Sequence, residues 1–150
     1  MKEAIANLGV FNLMIIFGII MMSFFIGSLG YTKAFKVKDR IINEIELEGE
    51  WNNTAVENNI ENYLYEVGYR VNLDSQCPDA ETNENNVKVT QIKTNSSYKY
   101  CVYKYETEKE YKKTVYYKVV SFMYFDIPVI SEIIKIPVSG ETKPFVKFKS

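Results

Sequence analysis

Apolar and polar positions divide this chain into three regimes. Residues 4–32 carry no charge and are mostly apolar, residues 33–67 repeat apolar positions every three or four, and from Val87 onward the repeat is every second position. The densest part of the first regime, Leu8 to Tyr31 (LGVFNLMIIFGIIMMSFFIGSLGY), is 24 residues long. As a helix it would span roughly 36 Å, enough to cross a hydrocarbon core of about 30 Å with some tilt. A cleaved signal peptide would have an apolar region of about 7–15 residues followed by a small-x-small site. This block is longer, and Ser28-Leu29-Gly30 matches such a site poorly. A core helix of a soluble protein would keep a polar side, whereas this block is apolar all round. The pattern predicts an uncleaved membrane helix, with residues 1–32 as tail and span and residues 33–150 as one soluble domain.

The helix is not expected to stop at the membrane surface. No proline or turn cluster interrupts the chain between Tyr31 and Gly49, and a 3-4 spacing runs straight through: Asn12, Ile16, Ile19, Ser23, Gly27, Gly30, Ala34, Val37, Ile41, Ile45. On a helix these ten fall within a wedge of about 80°. One continuous helix of about 40 residues follows, half in the membrane and half beyond it. Lys33, Lys36 and Arg40 lie away from the stripe, where their stems can run along lipid and their charges reach the headgroups. Gly27 and Gly30 each cost about 1 kcal/mol of helix propensity, which close packing would offset. Ser23-x-x-x-Gly27 is a small-x-x-x-small pattern, and Asn12 could hydrogen-bond across a helix interface. Asn12, Ile16, Ile19, Ser23, Gly27 and Gly30 thus form a candidate helix-packing seam. The alternative is that small residues are merely common in membrane helices. For Val37, Ile41 and Ile45, packing onto the chain's own domain is the favoured reading.

A second helix is punctuated clearly. Thr54-Ala55-Val56-Glu57 fits a capping box, Val56, Ile60, Tyr63, Leu64 and Val67 form an apolar face, and Gly68 suits the C′ position. Ser75 to Asn86 is polar and reads as a surface loop. The triplets at Asn52 and Asn95 match glycosylation sequons, but three-residue matches arise by chance. Val87–Ile92, Tyr98–Glu106 and Thr114–Asp126 read as strands, with Glu141–Phe148 as a fourth. In the third, Val115, Tyr117, Val119, Ser121, Met123 and Phe125 share one face, and Tyr116, Lys118, Val120, Phe122 and Tyr124 share the other. Two apolar faces suggest a central strand covered by helix on one side at least. The expected architecture is α+β: a long N-terminal helix, a short second helix, and a small antiparallel sheet of three or four strands.

Composition narrows the function classes. Net charge is −1 and the pI about 5.6, so no global basic field exists to hold nucleic acid. The chain has no histidine, which removes His-based acid–base chemistry and nearly all catalytic zinc sites. Asp126 and Glu132 are scattered carboxylates without partners at meaningful spacing, so no enzyme is expected, nor a cofactor, a metal or a small-molecule substrate. Tyr98, Tyr100, Tyr103, Tyr105, Tyr111, Tyr116 and Tyr117 alternate with lysines, as a single-strand nucleic-acid platform would. Glu106, Glu108 and Glu110 lie among them, and cross-strand aromatic pairing is the better reading.

Sidedness is contested at this level. Lys33, Lys36, Lys38 and Arg40 follow the span while only Lys2 and the amino terminus precede it, which the positive-inside rule reads as a cytoplasmic domain. Cys77 and Cys101 stand 24 positions apart. In an external domain a disulfide between them would stabilise by roughly 3 kcal/mol, and in a cytoplasmic one they would be unrelated thiols. An external domain is the reading taken forward.

Two stretches carry a family resemblance: SFFIGSLGYTKAFKVKDRIINEIE within Leu8 to Glu50, and YYKVVSFMYFDIPVISEIIKIPVSGETK from Tyr116 to Lys143. With the helix-plus-small-sheet layout, they resemble TadE-like pseudopilins of Tad-type pilus or secretion machinery in low-GC Gram-positive bacteria. The resemblance covers about half the chain. It implies a single-pass minor subunit whose partners are the lipid bilayer and other pilin-like or Tad-type membrane subunits. One feature departs from type IV pilin-like proteins, which carry glutamate at the fifth residue after a glycine cleavage site. Here the fifth residue after Gly9 is Met14, so the resemblance stops short of prepilin processing. The rival reading is a single-pass membrane-anchored binding or sensor domain, which calls for a ligand-sized concavity in the sheet domain.

Overall fold

A computed structural model describes residues 2–51, 54–69, 77–80, 87–94, 100–109, 111–123 and 136–148, with side chains except at 2–8 and 92–94. Tyr98, Asp126, Glu132, both sequon asparagines, most of the Ser75–Asn86 loop and the end of the third expected strand lie outside these residues. The first helix, α1 (Lys2–Glu48), runs 47 residues without a break. Its lower half is apolar on every side, and its upper half buries the expected stripe. Ala34, Val37, Ile41 and Ile45 are all 0% exposed. Gly49, at φ 75°, ends it, with its N–H donating to the Ile45 carbonyl at 2.9 Å.

The second helix, α2 (Ala55–Glu66), packs Val56, Ile60 and Leu64 against that stripe. Its end is the expected glycine cap. Gly68 takes φ 59°, its N–H donates to Tyr65 O, and the Tyr69 N–H donates to Leu64 O at 3.0 Å. Its start differs from expectation. Thr54 has right-handed helical dihedrals (φ −99°, ψ −53°) and its side chain makes no cap hydrogen bond. A capping side chain needs an extended backbone to reach the first free N–H groups, so the Thr54 half of the box is not built.

Five strands form one antiparallel sheet: β1 (Val87–Thr94), β2 (Tyr100–Lys109), β3 (Lys112–Phe122), β4 (Pro137–Glu141) and β5 (Phe145–Phe148). The order is β1-β2-β3-β4, with β5 pairing β3 beyond β4. The expected fourth strand is therefore two strands along one edge of β3. Their register with β3 differs by one residue, Glu141 facing Lys118 but Phe145 facing Val115. Thr142 explains the interruption. Its N–H donates to Tyr117 O at 2.9 Å, and its hydroxyl accepts from the Tyr117 N–H at 3.0 Å. A side chain stands in for one rung of the ladder, which no strand propensity reveals.

β3 is central, as its two apolar faces implied. Val115, Tyr117 and Val119 meet α1 and α2, together with Tyr100 and Val102 of β2. Val120 and Phe122 join Cys101, Tyr103 and Tyr105 on the back face, where Cys77 and Ala80 pack. Buried polar contacts and one close backbone approach help fix α1 and α2 on this sheet. The Ser121 hydroxyl, fully buried, donates to the Ala34 carbonyl of α1 at 2.8 Å. The Tyr69 hydroxyl accepts from the Phe122 N–H at 2.8 Å and donates to the Phe122 carbonyl at 3.0 Å. Gly140 of β4 lies so close to α1 that a Cβ there would meet Lys38 Cδ at 2.7 Å and Ile42 Cδ1 at 2.9 Å.

These contacts predict a sharp contrast along one helix. Ile41→Ala should cost about 2–5 kcal/mol of domain stability through the cavity it leaves. Ile16→Ala, on the same stripe but 58% exposed, should leave domain unfolding unchanged. Denaturant titration of the detergent-solubilised chain, followed through Trp51 fluorescence, checks both.

Candidate membrane and helix-packing surface

Among the described residues one helix is long and apolar enough to cross a membrane. Most of its lower half is exposed among the described residues. Leu13 is 69% and Phe24 75% exposed, against 0% for Val37 higher on the same helix. In water this surface would be far larger than a monomer tolerates, whereas in lipid it is matched to its solvent. The continuous ladder satisfies the backbone internally. The hydroxyls behave likewise, Ser23 donating to Ile19 O at 2.9 Å and Thr32 to Ser28 O at 2.8 Å. A hydroxyl bonded within its own helix can sit in hydrocarbon without a partner, so the Ser23 donor is already used.

The seam residues fall where the wheel puts them. Asn12, Ile16, Ile19 and Ser23 are exposed, Gly27 and Gly30 are half-buried, and all lie in line with the domain-facing residues above. The upper part of the stripe is thus engaged by the chain's own core, and among the described residues its lowest part, Asn12 to Ser23, is exposed. Ser23 and Gly27, with Ser28, leave a shallow groove flanked by Phe24 and Tyr31. Small side chains there would let a second helix approach closely.

The upper rim of this surface carries aromatic and basic side chains. Tyr31 and Phe35 stack one turn apart, with centroids 6.2 Å apart. Lys33 and Lys36 are exposed. Lys38 folds back, its Nζ 3.8 Å from the Phe35 ring centroid and 2.9 Å from the Asp39 carboxylate. Arg40 departs from the headgroup role expected of it. Its guanidinium pairs with Glu44 at 2.7 Å and lies over the Tyr63 ring, while Glu44 accepts from the Asn59 amide at 3.2 Å. Arg40 ties α1 to α2, because the register of α2 places Asn59 and Tyr63 beside it.

The back face of the sheet is held by a covalent link. Cys77 and Cys101 form a disulfide with Cα atoms 5.9 Å apart. It pins residues 77–80 over β2, where the Tyr103 hydroxyl donates to the Pro78 carbonyl. Sequence reading missed this cover, since 77–80 looked like polar loop. Tyr105 and Tyr116, directly opposed in register, stack at 4.8 Å and 10°. Tyr100, Tyr103, Tyr105 and Tyr117 are buried, so these tyrosines are core and not an exposed platform.

At the far end of α1, a cavity of about 70 Å³ is lined by Glu50, Lys104, Glu106, Lys113 and Lys147 among others. Its charges are paired internally. Glu106 holds Lys104 at 2.6 Å and Lys113 at 3.1 Å, and Glu50 holds Lys147 at 3.0 Å. Ligand pockets are commonly about 300–1,000 Å³, so this cleft is small for an organic ligand. No family model, curated protein or solved structure matches this chain.

The cleft predicts a pH dependence. Its hydrogen bond to Lys104 holds the Glu106 carboxyl below its ordinary value of 4.5, aided by Lys113. A lowered folded value means that its contribution is fully present above about pH 4.5 and is lost as pH falls through the folded value. Stability should therefore decline on acidification below about pH 4.5, and less so in Glu106→Gln. Thermal unfolding midpoints across that range check it.

Proposed function

We infer that this chain is a single-pass, membrane-anchored structural subunit of pseudopilin type, a TadE-like minor component. Its task is helping to assemble a pilus-like or secretion apparatus through helix–helix packing. The observation that carries this reading is the unbroken α1, whose upper half is the spine of an α+β domain and whose lower half is, among the described residues, a largely exposed apolar rod. A tether for an independent domain needs no such rigidity, whereas an assembly subunit needs its domain held at a set angle to its packing helix. The sequence resemblance supports the same reading. A membrane-anchored binding domain is less favoured, because the cleft at the end of α1 is small and internally neutralised.

An extracytoplasmic domain is part of the reading. The Cys77–Cys101 link supports it, since such a bond persists in oxidising compartments and not in a reducing cytoplasm. With intact cells, an impermeant thiol reagent should label the chain only after reduction by an impermeant reductant, at half-buried Cys77 first. Labelling that requires permeabilised cells would place the domain inside.

The seam is tested by crosslinking in native membranes. Cysteines at Ser23 and Gly27 should capture a partner helix, and those at Met22 and Phe25, away from the seam, should capture little. Equal crosslinking all round the helix removes the seam and with it the packing role.

A further inference from the structure

The point where α1 leaves its apolar span is also the point where the domain begins. Ala34 is already fully buried, with Met123 and Val138 packed on it, and the Met123 N–H donates to the Ile136 carbonyl at 2.9 Å. The last residue of the uncharged block is Thr32. No spacer separates domain from span.

Residues 31–36 rise about 7.5 Å along the helix, close to the 5–8 Å that a headgroup layer occupies on each side of the hydrocarbon core. Within that rise the helix presents three different sectors. Ala34 and the domain occupy one; Tyr31 and Phe35, stacked and exposed, occupy the next; Lys33 and Lys36 occupy the third. At about 100° per residue the centres of these sectors stand roughly 80–150° apart, so together they ring the helix. Aromatic rings with one wet edge and lysines on long stems are the side chains that suit this layer. Lys38 and Arg40, one turn higher, are committed to Asp39 and Glu44, but among the described residues Lys33 and Lys36 form no ion pair. Ile136, at the lower end of β4, is 44% exposed on the domain's underside.

We propose that the membrane-proximal end of the domain is a docking surface for anionic phospholipid headgroups. Lys33 and Lys36 hold lipid phosphates, Tyr31 and Phe35 lie at the acyl–headgroup boundary, and Ile136 rests on the bilayer beside them. The domain is thereby seated on the membrane and its angle is set by α1. The proposal rests on the membrane-anchor reading above, and its test separates the two.

The full chain, with Trp51→Phe removing its single native tryptophan, is reconstituted in vesicles of phosphatidylcholine and phosphatidylglycerol. A tryptophan is then placed at Leu13, Phe35 or Ile136 in turn and quenched by lipids spin-labelled at the headgroup or deep in the acyl chain. Deep quenching at position 13, with headgroup-level quenching at both 35 and 136, is expected. Spin-labelled phosphatidylglycerol should also be enriched around the chain roughly two- to fivefold over phosphatidylcholine, falling to near one in Lys33→Gln/Lys36→Gln. Absence of quenching at position 13 overturns the anchor reading itself. Deep quenching at 13 without headgroup quenching at 35 and 136 leaves the anchor standing and overturns the docking surface. Enrichment unchanged in the double variant overturns it equally.

Discussion

One stripe of one helix organises this molecule. Ala34, Val37, Ile41 and Ile45 must leave water, and α2 and the sheet exist around them as the surface that removes them from it. Burying each of the larger side chains contributes about 1.5–3 kcal/mol, an upper figure because unfolded chains already hide part of their apolar area. The dependence is mutual. Among the described residues, α1 and α2 are the main cover of the sheet face made by Tyr100, Val102, Val115, Tyr117 and Val119, so the domain without α1 would expose its own core. The apolar half of α1 and the domain share one backbone ladder.

Buried polar groups then set the register that apolar contact leaves loose. Hydrophobic packing would tolerate some sliding of α1 over the sheet, but the Ser121 hydroxyl has one carbonyl of α1 within reach, and an unmade bond there would cost about 1–3 kcal/mol. Tyr69 does the same for α2, closing both hydrogen-bonding groups of Phe122. Burial pushes its hydroxyl well above the ordinary tyrosine range, which keeps it a neutral donor and acceptor. Arg40, Glu44 and Asn59 fix the two helices against each other. Thr142 lets the outer edge of β3 be covered by two strands in different registers.

Charge along α1 is graded. Lys33, Lys36, Lys38 and Arg40 come first, and Glu44, Glu46, Glu48 and Glu50 follow towards and past its end. Acids at a helix C-terminus oppose the macrodipole, and the last turn carries no basic residue of its own. The sheet supplies the missing cations. The Lys143 ammonium lies 3.7 Å from the Glu46 carboxylate, which also accepts from the Lys143 backbone N–H at 2.8 Å, and Lys147 reaches Glu50 at 3.0 Å. In the proposed reading the basic end faces anionic headgroups and the acidic end is neutralised by the domain, so one gradient serves both boundaries.

Much of this was legible in the sequence for a physical reason. Period, length and punctuation are local properties, and they announced the long helix, its stripe, the glycine-capped second helix and the strand with two apolar faces. The stripe could be drawn from Asn12 to Ile45, because helical periodicity depends on the chain alone. What covers each part of it depends on what folds back, and only the tertiary structure divided it, among the described residues, into a buried upper half and a largely exposed lower half. The same limit applied elsewhere. Arg40 looked like a headgroup contact until α2 brought Asn59 and Tyr63 beside it. The Thr54 side chain does not cap because backbone dihedrals there, and not residue type, decide whether it can. Residues 77–80 read as loop, yet the link to Cys101 makes them the back wall of the core. The sequence by itself determined which surfaces must avoid water; the fold decided which of them the chain could cover and left the lower half of α1 for another solvent.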